Sequence, residues 1–324
     1  MKKVSIALLK IFIPLGLGIF LIWLAYNKLK PEEIDRAKNA MFEMNKFYLF
    51  LSIFFGIISH ASRAWRWKYP LEAMGYSPKF WNSFFTVMIG YFANLGIPRS
   101  GEVLRCGLMA KYENMPFNKL VGTVIAERVA DFIILFISIL IALFLQADII
   151  LDFLAKGEDK FTITKIIIIL IGLVVVVVGL VVLKKSNNLV AQKIKVFLSG
   201  IVEGIKTIFT MKKKWLYIGH TLFIWVMYFA MFRITFYALP ELAAVPLAGI
   251  FTAFVVGGLS ITVTNGGIGA YPLGISAVLA LYGLADVGYG FGWAVWFAQS
   301  AMLISVGLTS FILIPRYNLK KLVS

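Results

Sequence analysis

The hydrophobic pattern of this chain consists of long apolar runs separated by short charged segments. An α-helix needs roughly 20 apolar residues to cross a bilayer. Runs that approach or exceed this length lie at about 6–26, 47–64, 120–146, 161–183, 215–238 and 291–314. The run 161–183 is rich in Ile and Val, but its length and the lipid setting favour a helix over a strand. We therefore expect an all-α, polytopic membrane protein with about six full spans.

Two further apolar segments are interrupted. The run 80–97 ends at Gly96 and Pro98, which disfavour helix continuation, and a short helix is expected at about 101–110. Ser100 would be a suitable N-cap, with Glu102 in the first turn. In lipid such a break is tolerated only where it is buried in protein or lines a wet cavity. We therefore predict a re-entrant helical hairpin here.

The second interrupted segment is the region 246–284. Its two short apolar pieces, 246–263 and 272–284, flank a stretch rich in threonine and glycine between Thr262 and Pro272. Glycine lets the backbone take conformations that other residues avoid. The pattern predicts a second re-entrant hairpin, which enters the membrane from the side opposite to the first.

The distribution of charge predicts the orientation. The chain is 60% hydrophobic and 15% charged, with a net charge of +16, whereas soluble proteins average about 25% charged residues. Lys and Arg concentrate in cytoplasmic loops of membrane proteins. The basic segments 63–79, 184–214 and 315–321 are thus expected in the cytoplasm, and the acidic loop 147–160 outside. We expect a multi-pass protein of the plasma (inner) membrane with both termini cytoplasmic.

The same reasoning assigns the excess positive charge to lipid rather than to nucleic acid. Segment 184–214 is predicted to be a basic amphipathic helix at the cytoplasmic surface, and residues 6–26 a retained signal-anchor after Lys2 and Lys3. Cys106 is the single cysteine, which excludes a disulfide within the chain. His60 and His220 are expected to be packed or interfacial side chains rather than ligands. No Cys/His pattern typical of metal sites is present, so neither a metal nor a cofactor is expected.

An internal repeat relates the two interrupted segments. Asn94-Leu95-Gly96-Ile97 matches Asn265-Gly266-Gly267-Ile268, and Arg63 precedes Asn94 by 31 residues while Arg233 precedes Asn265 by 32. We interpret residues 1–324 as a single integral membrane domain with a first repeat unit at 47–146 and a second at 215–314. Inverted repeats with broken helices that meet near the midplane are typical of transporters. We therefore predict that the two breaks face each other.

The breaks supply the predicted substrate-binding residues. A helix N-terminus attracts anions, and an arginine beside it adds charge-assisted hydrogen bonds. The predicted set is Asn94, Arg99, Ser100, Gly101, Glu102, Arg105, Asn265, Gly266 and Gly267. The alternative is that Arg99 only reaches the membrane surface and that Glu102 only caps the helix.

A second set of charges lies inside the expected spans. Glu127, Arg128 and Asp131 share one face of the span 120–146, and Arg63 and Arg233 complete the predicted intramembrane charge network. Unpaired ionised groups are costly at this depth, so Arg128 is expected to pair with Asp131 or to reach Glu102. One carboxylate could then carry a proton or contact a cationic headgroup. A buried structural ion-pair network is an equally good interpretation.

Four segments of the chain resemble a known family. They are Arg63-Ala64-Trp65-Arg66-Trp67, the stretch from Asn94 to Arg105, Glu127-Arg128-Val129-Ala130-Asp131, and Asn265-Gly266-Gly267-Ile268-Gly269. The chain resembles the transmembrane-region family of lysylphosphatidylglycerol synthase/flippase proteins over nearly its whole length. The resemblance implies a flippase-like membrane module that handles a phospholipid or another lipid-linked headgroup. The synthases carry a soluble catalytic domain after the membrane part, whereas ten residues follow the last expected span here, so lipid synthesis is not expected.

The functional expectation combines these observations. We expect a flippase-like transporter that moves a phospholipid or a lipid-linked anionic headgroup between leaflets, and a transporter rather than an enzyme. One alternative is an integral-membrane enzyme that acts on a lipid phosphate or a lipid-linked sugar through Glu102, Glu127 and Asp131, although no Asp-x-Asp or histidine motif accompanies them. Another is a small-anion channel or transporter. The expected partner is membrane lipid, with no nucleic acid, and homo-oligomerisation is left open.

Overall fold

The computed structural model describes residues 2–147, 192, 206 and 208–319, with side chains from residue 12 onward. Within these ranges the chain is all-helical and contains no strand. The α-helices of the described part are α1 (Lys2–Lys28), α2 (Pro31–Phe42), α3 (Lys46–Ala73), α4 (Phe80–Gly96), α5 (Ser100–Glu113), α6 (Phe117–Leu145), α7 (Lys214–Thr235), α8 (Leu247–Ser260), α9 (Ala270–Leu279) and α10 (Ala285–Tyr317). Short 3-10 turns follow α7 and α9 and precede α8 and α9.

Four of the described helical segments are long and apolar enough to cross a membrane. They are Lys46–Ala73, Phe117–Leu145, Lys214–Ala238 and Ala285–Tyr317, and shorter apolar helices occupy Phe12–Lys28, Leu247–Ser260 and Ala270–Tyr282. For the described residues the expected all-α architecture is thus confirmed, with four helices long enough to span a membrane, whereas the count of six spans and the re-entrant path of the hairpins remain predictions. The predictions for 161–183, for nearly all of loop 147–160 and for most of segment 184–214 lie outside the described residues.

The mixed charges of residues 27–46 predict a loop between the first two spans, and this prediction is wrong. The mixed-charge segment 27–46 contains α2, which begins with Pro31 at its first position, where a proline costs no hydrogen bond. The carboxylate of Glu33 accepts the backbone N–H of Lys30 at 2.8 Å, and Arg36 forms an ion pair with Asp286 of α10 at 2.6 Å. Charged residues dominate this helix, so a search for apolar runs passes over it, although Pro31 and Glu33 are recognisable helix-start signals.

Several helices are longer than their apolar runs. α3 begins at Lys46, where the Asn45 side chain accepts the Phe47 N–H at 3.0 Å, and it continues to Ala73 instead of ending near Ala64. α10 starts at Ala285, six residues before the predicted start at 291. A hydrophobic run marks only the part of a helix that meets lipid or core, so both helices extend into polar sequence.

The chain divides into two compact units. One comprises Met1–Val124 and Met211–Ser324, and the other comprises Ile125–Thr210. The first unit contains two clusters of buried apolar side chains. One is built around Phe232, Phe236 and Phe291 of α7, its 3-10 extension and α10. The other is built around Trp67 and Met88 of α3 and α4.

Glycines on α10 permit close packing of this unit. A Cβ at Gly307 would collide with Phe92 of α4, and a Cβ at Gly292 would collide with Pro272 of α9. Small residues at helix contacts are how helices approach each other closely within a membrane. α10 thereby packs against both α4 and α9, the helices next to the two chain breaks.

Candidate functional site

The first break separates α4 from α5. α4 ends at Gly96, Ile97 is extended, and Arg99 takes a left-handed conformation with φ of 63° before α5 begins at Ser100. The predicted interruption at Gly96–Pro98 is therefore present. The prediction that Ser100 is the N-cap is wrong, because Arg99 occupies that position without a side-chain capping bond. The Ser100 hydroxyl instead donates to the carbonyl oxygens of Ile97 at 2.8 Å and Ala93 at 3.3 Å.

Asn94 performs the capping that the sequence assigned to Ser100. Its Oδ1 accepts the backbone N–H of Gly101 at 2.7 Å, and its Nδ2 donates to the Glu102 carboxylate at 3.4 Å. α4 and α5 approach so closely that a Cβ at Gly101 would collide with the carbonyl oxygen of Gly90. The Gly101 N–H in the first turn of α5 therefore already donates to a protein side chain and is not available to a ligand.

The second break separates α8 from α9 and is built on glycine. A 3-10 turn at Asn265–Gly267 follows Thr264, and Gly266, Gly267 and Gly269 all have positive φ. The Trp296 indole N–H donates to the Gly266 carbonyl oxygen at 2.7 Å, and the Thr264 hydroxyl donates to the Ile268 carbonyl oxygen at 2.9 Å. Both bonds satisfy backbone oxygens that have no helical partner.

The two breaks lie against each other. An ideal Cβ at Gly266 would be 3.1 Å from Leu95 Cδ2 and 3.8 Å from Leu95 Cα. Residues 268–269 of the second break also pack on Gly18 of α1, with no room for a Cβ at Gly18 or Gly269. The predicted contact between the Asn-x-Gly segments is therefore present. Their depth in the membrane remains a prediction.

The charged residues of the first break have different surroundings. Arg99 is exposed, and Glu102 is half-buried and held by Asn94. Arg105 is buried, with its guanidinium 3.6 Å from the centroid of the Trp67 ring, and the indole N–H of Trp67 donates to Thr123 at 2.8 Å. A cation over an aromatic face is a favourable contact. Of the predicted binding arginines, Arg99 is thus presented at the break, while Arg105 is part of the packing around Trp67.

Two arginines of α3, Arg63 and Arg66, are buried. Arg63 belongs to the predicted charge network, whereas Arg66 is not among the predicted site residues. Arg66 donates to the Thr221 hydroxyl at 2.9 Å and lies 5.3 Å from the Tyr217 ring centroid. Arg63 donates to the Tyr228 hydroxyl at 3.2 Å. Both are buried, as is Trp67. The tryptophans and basic residues at 63–68 predict an interfacial group at the end of the second span. This is wrong for Arg66 and Trp67, because both side chains are buried, and it remains a prediction for Trp65 and Lys68.

Helical spacing could have revealed this division. Arg63, Arg66 and Trp67 are spaced i, i+3 and i+4, which places them on one face of α3, and Trp65 and Lys68 lie on another. His60, one turn before Arg63, contacts Tyr91 of α4 with ring centroids 4.6 Å apart and the two rings tilted by 44°. A polar and aromatic face of α3 therefore reaches toward α4 and α7.

The remaining predicted charges lie on two helices, α6 and α7. On α6, Arg128 pairs with its neighbour Glu127 at 3.1 Å, and the Glu127 side chain is buried while that of Arg128 is 45% exposed. Coupling of Glu127, Arg128 and Asp131 to the first break remains a prediction. Arg233 is exposed in the last turn of α7, and its Nη2 is 3.5 Å from the Tyr237 hydroxyl. The two arginines matched by the repeat, Arg63 and Arg233, thus differ in burial.

No group of three His, Cys, Asp or Glu side chains in the described ranges is arranged to hold a metal ion. Cys106 is buried and carries a free thiol.

Comparison with known proteins identifies relatives of this chain. The model of a family described as the lysylphosphatidylglycerol synthase TM region matches residues 11–307. A curated relative from Methanocaldococcus jannaschii, described as a UPF0104 membrane protein, is 29% identical over 134 residues, which are 40% of this chain and 38% of the relative. The match with this relative therefore covers well under half of its length. The comparison with solved structures finds no match. The protein belongs to the lysylphosphatidylglycerol synthase TM region family, a membrane family linked to lipid handling.

Proposed function

We propose that this protein is a flippase-like transporter that moves a phospholipid or a lipid-linked anionic headgroup between membrane leaflets. The observation that carries the proposal is the contact between the two chain breaks, at Leu95 and Gly266. Irregular backbone inside a membrane protein is tolerated where protein buries it or where it lines a cavity. Paired broken helices of this kind form the substrate sites of many transporters.

The charged groups at the first break favour an anionic headgroup. Arg99 is exposed beside the N-terminus of α5, where the helix dipole also favours negative charge. Because Asn94 already occupies the Gly101 N–H, Arg99 is the main charged partner in this proposal. Glu102 lies one turn into the same helix and would select against a headgroup with excess negative charge.

The orientation in the membrane is also part of the proposal. Both termini and segment 184–214 are cytoplasmic, and loop 147–160 is external, because Lys and Arg are concentrated in the former. In a Cys106→Ser background, Lys193→Cys should resist a membrane-impermeant thiol reagent added to intact cells. Labelling from outside would show that the predicted orientation is wrong, and the inverted repeat would lose its support.

Leaflet exchange of labelled phospholipids in proteoliposomes tests the function. Wild-type protein should move lipid with an anionic headgroup faster than a zwitterionic or cationic analogue. Arg99→Ala should reduce exchange by roughly ten- to hundred-fold, because one charge-assisted hydrogen bond contributes about 1.5–3 kcal/mol and 1.4 kcal/mol is tenfold. Arg99→Lys keeps the charge but loses the bidentate geometry, so it should recover only part of the activity.

Arg316→Ala is the matched control, because Arg316 is an exposed arginine at the C-terminal end of α10. If wild-type protein neither binds nor moves any of these lipids under applied ion gradients, the transport proposal fails and an enzyme that acts on lipid phosphate becomes the better hypothesis. Ion conductance that is independent of lipid would favour the anion-channel alternative. If lipid moves but Arg99→Ala behaves as wild type, the site assignment is wrong and the transport function stands.

A further inference from the structure

A groove opens between α3 and α7, apart from the two chain breaks. Its volume is about 520 Å³, and its walls include Ala61 and Trp65 of α3, Phe80 of α4, and Trp215, Gly219 and Phe223 of α7. Trp65 and Trp215 are 46% and 72% exposed. Gly219 lies between Trp215 and Phe223 on the same face of α7, and no heavy atom lies within 4 Å of an ideal Cβ there. The walls of the groove are thus mainly apolar.

One end of the groove is strongly basic. Lys212, Lys213 and Lys214 immediately precede Trp215, and Lys68 lies one turn after Trp65; of these four lysines, Lys68 and Lys213 contact the carboxylate of Glu72. Glu72 accepts from Lys213 at 2.9 Å and lies 3.4 Å from Lys68, which ties the end of α3 to the start of α7. The hydrogen bond to Glu72 raises the pKa of Lys213, so this group stays charged.

The basic end is continuous with the groove. The Lys68 ammonium lies 5.7 Å from the centroid of the Trp65 ring, which is a wall of the groove. Lys212 and Lys214 have no carboxylate partner among the residues that the structure describes. Interfacial tryptophans and lysines of this kind are characteristic of the boundary between lipid tails and headgroups.

A polar pair lies part of the way along the groove. Ser62 Oγ and His220 Nδ1 are 2.8 Å apart, and both residues line the groove. Each lies six residues from the basic end, Ser62 from Lys68 and His220 from Lys214, or about 9 Å at 1.5 Å per residue. From the basic end, the groove therefore presents the cations, then Trp65 and Trp215, then the polar pair Ser62 and His220, and then the apolar side chains of Ile58 and Phe223.

We propose that this groove binds one anionic phospholipid of the surrounding bilayer, with its phosphate at Lys68, Lys212 and Lys214 and an acyl chain between α3 and α7. The cations, the interfacial tryptophans, the polar pair and the apolar side chains beyond it follow the order of the phosphate, the interfacial region, the ester carbonyls and the hydrocarbon of a phospholipid. Apolar contact alone cannot select this occupant, because the bilayer's own hydrocarbon is as apolar as the groove. Selection therefore comes from the lysines and from the fit around Gly219. The site is separate from the chain breaks, and lipid can bind here whether or not the protein moves lipid.

Photocrosslinking tests the proposal. Full-length protein is placed in phosphatidylcholine vesicles that contain a trace of phosphatidylglycerol with a photoreactive diazirine in its acyl chain, and labelled peptides are mapped by mass spectrometry. We expect labelling to concentrate on residues 58–65 and 215–223. Even labelling of all lipid-exposed helices would overturn the proposal, and this wild-type measurement needs no variant to fold.

A filling substitution sharpens the test. Gly219→Leu places a side chain in the groove without a backbone collision and should lower groove labelling roughly tenfold, equivalent to about 1.4 kcal/mol. Gly122→Leu is the matched control, because Gly122 is also an exposed helical glycine with nothing within 4 Å of its Cβ position. Groove labelling that survives Gly219→Leu unchanged would contradict the assignment.

Charge substitutions test the headgroup. The double variant Lys212→Gln, Lys214→Gln should weaken competition by unlabelled phosphatidylglycerol roughly tenfold, since each lysine at the membrane surface attracts anionic lipid. The matched control is Lys28→Gln, Lys30→Gln, which removes the same charge from exposed positions at the end of α1 and just before α2. If phosphatidylglycerol and phosphatidylcholine compete equally with the label, the anionic-headgroup assignment is wrong.

Discussion

The two chain breaks solve the same structural problem with different residues. At the first, side chains replace the missing helical hydrogen bonds, since Asn94 receives the Gly101 N–H and Ser100 donates to the end of α4. At the second, glycines with positive φ turn the chain, and Trp296 from α10 supplies the main donor. The first carries Arg99 and Glu102, whereas the turn Asn265–Gly267 carries no charge. The two repeated segments therefore differ in structure. The first break carries charged side chains, and the second brings backbone into close contact with its neighbours.

We expect the two chain breaks to have different roles. A charged, exposed break can contact a headgroup, while a glycine turn can come close to whatever lies opposite because it has no side chain. The following substitutions test whether each break depends on the feature assigned to it, from the largest expected loss of stability to the smallest.

Gly101→Ala should be the most damaging change at the first break. Its Cβ would collide with the carbonyl oxygen of Gly90, and backbone cannot move aside cheaply. We expect a loss of about 3 kcal/mol in the free energy of unfolding, at the upper end for overpacking. The thermal midpoint of the purified protein in detergent measures this. Gly96→Ala is the control, since nothing lies within 4 Å of that Cβ position, and equal midpoints for the two variants would contradict the close approach of α4 and α5.

Gly267→Ala tests the second break. Gly267 has φ of 81°, and an added Cβ would lie 3.1 Å from Ile261 Cα. A left-handed conformation costs a residue with a Cβ about 1–2 kcal/mol, so the midpoint should fall by less than in Gly101→Ala. Gly258→Ala on α8 provides the comparison, because that glycine is helical with open space around it and alanine favours helix. A Gly267→Ala protein as stable as Gly258→Ala would show that the turn does not need glycine.

Asn94→Ala should produce the smallest of the three effects. It removes the acceptor for the Gly101 N–H and one partner of Glu102. Loss of a capping side chain typically costs about 1 kcal/mol. Asn27→Ala, at an exposed position near the end of α1, is the matched control. The side-chain capping model is incorrect if the two asparagine variants unfold at the same temperature.

The sequence predicts the positions of the breaks because their causes are local. Pro98 lacks an N–H, and the glycines of 265–269 permit positive φ, whatever surrounds them. The contact at Leu95 and Gly266 was also predictable, from the repeated Asn-x-Gly pattern. The sequence favours Ser100 as the cap of α5 because serine is a common N-cap residue. Asn94 caps the helix instead, because α4 and α5 approach closely enough for its side chain to reach the Gly101 N–H.

Other features depend on tertiary packing and were beyond the reach of local signals. Arg66 and Trp67 look like an interfacial pair in sequence, and only the neighbouring α7 and α6 provide Thr221 and Thr123 as their hydrogen-bond partners. Arg105 sits beside the predicted anion site in sequence, yet it stacks on Trp67. α2 escaped a search for apolar runs because its stability comes from helix-start residues and contacts with α10.

The most direct test of the account is to lock the two breaks together. In a Cys106→Ser background, Leu95→Cys and Gly266→Cys place two thiols at the contact, where an ideal Cβ at residue 266 lies 3.8 Å from the Cα of residue 95. We predict that oxidation with copper–phenanthroline links the two positions and stops phospholipid exchange in proteoliposomes, and that a reductant restores it, while each single-cysteine variant is insensitive to oxidant. A linked protein that still exchanges lipid at the reduced rate would contradict the claim that the paired breaks form the transport site.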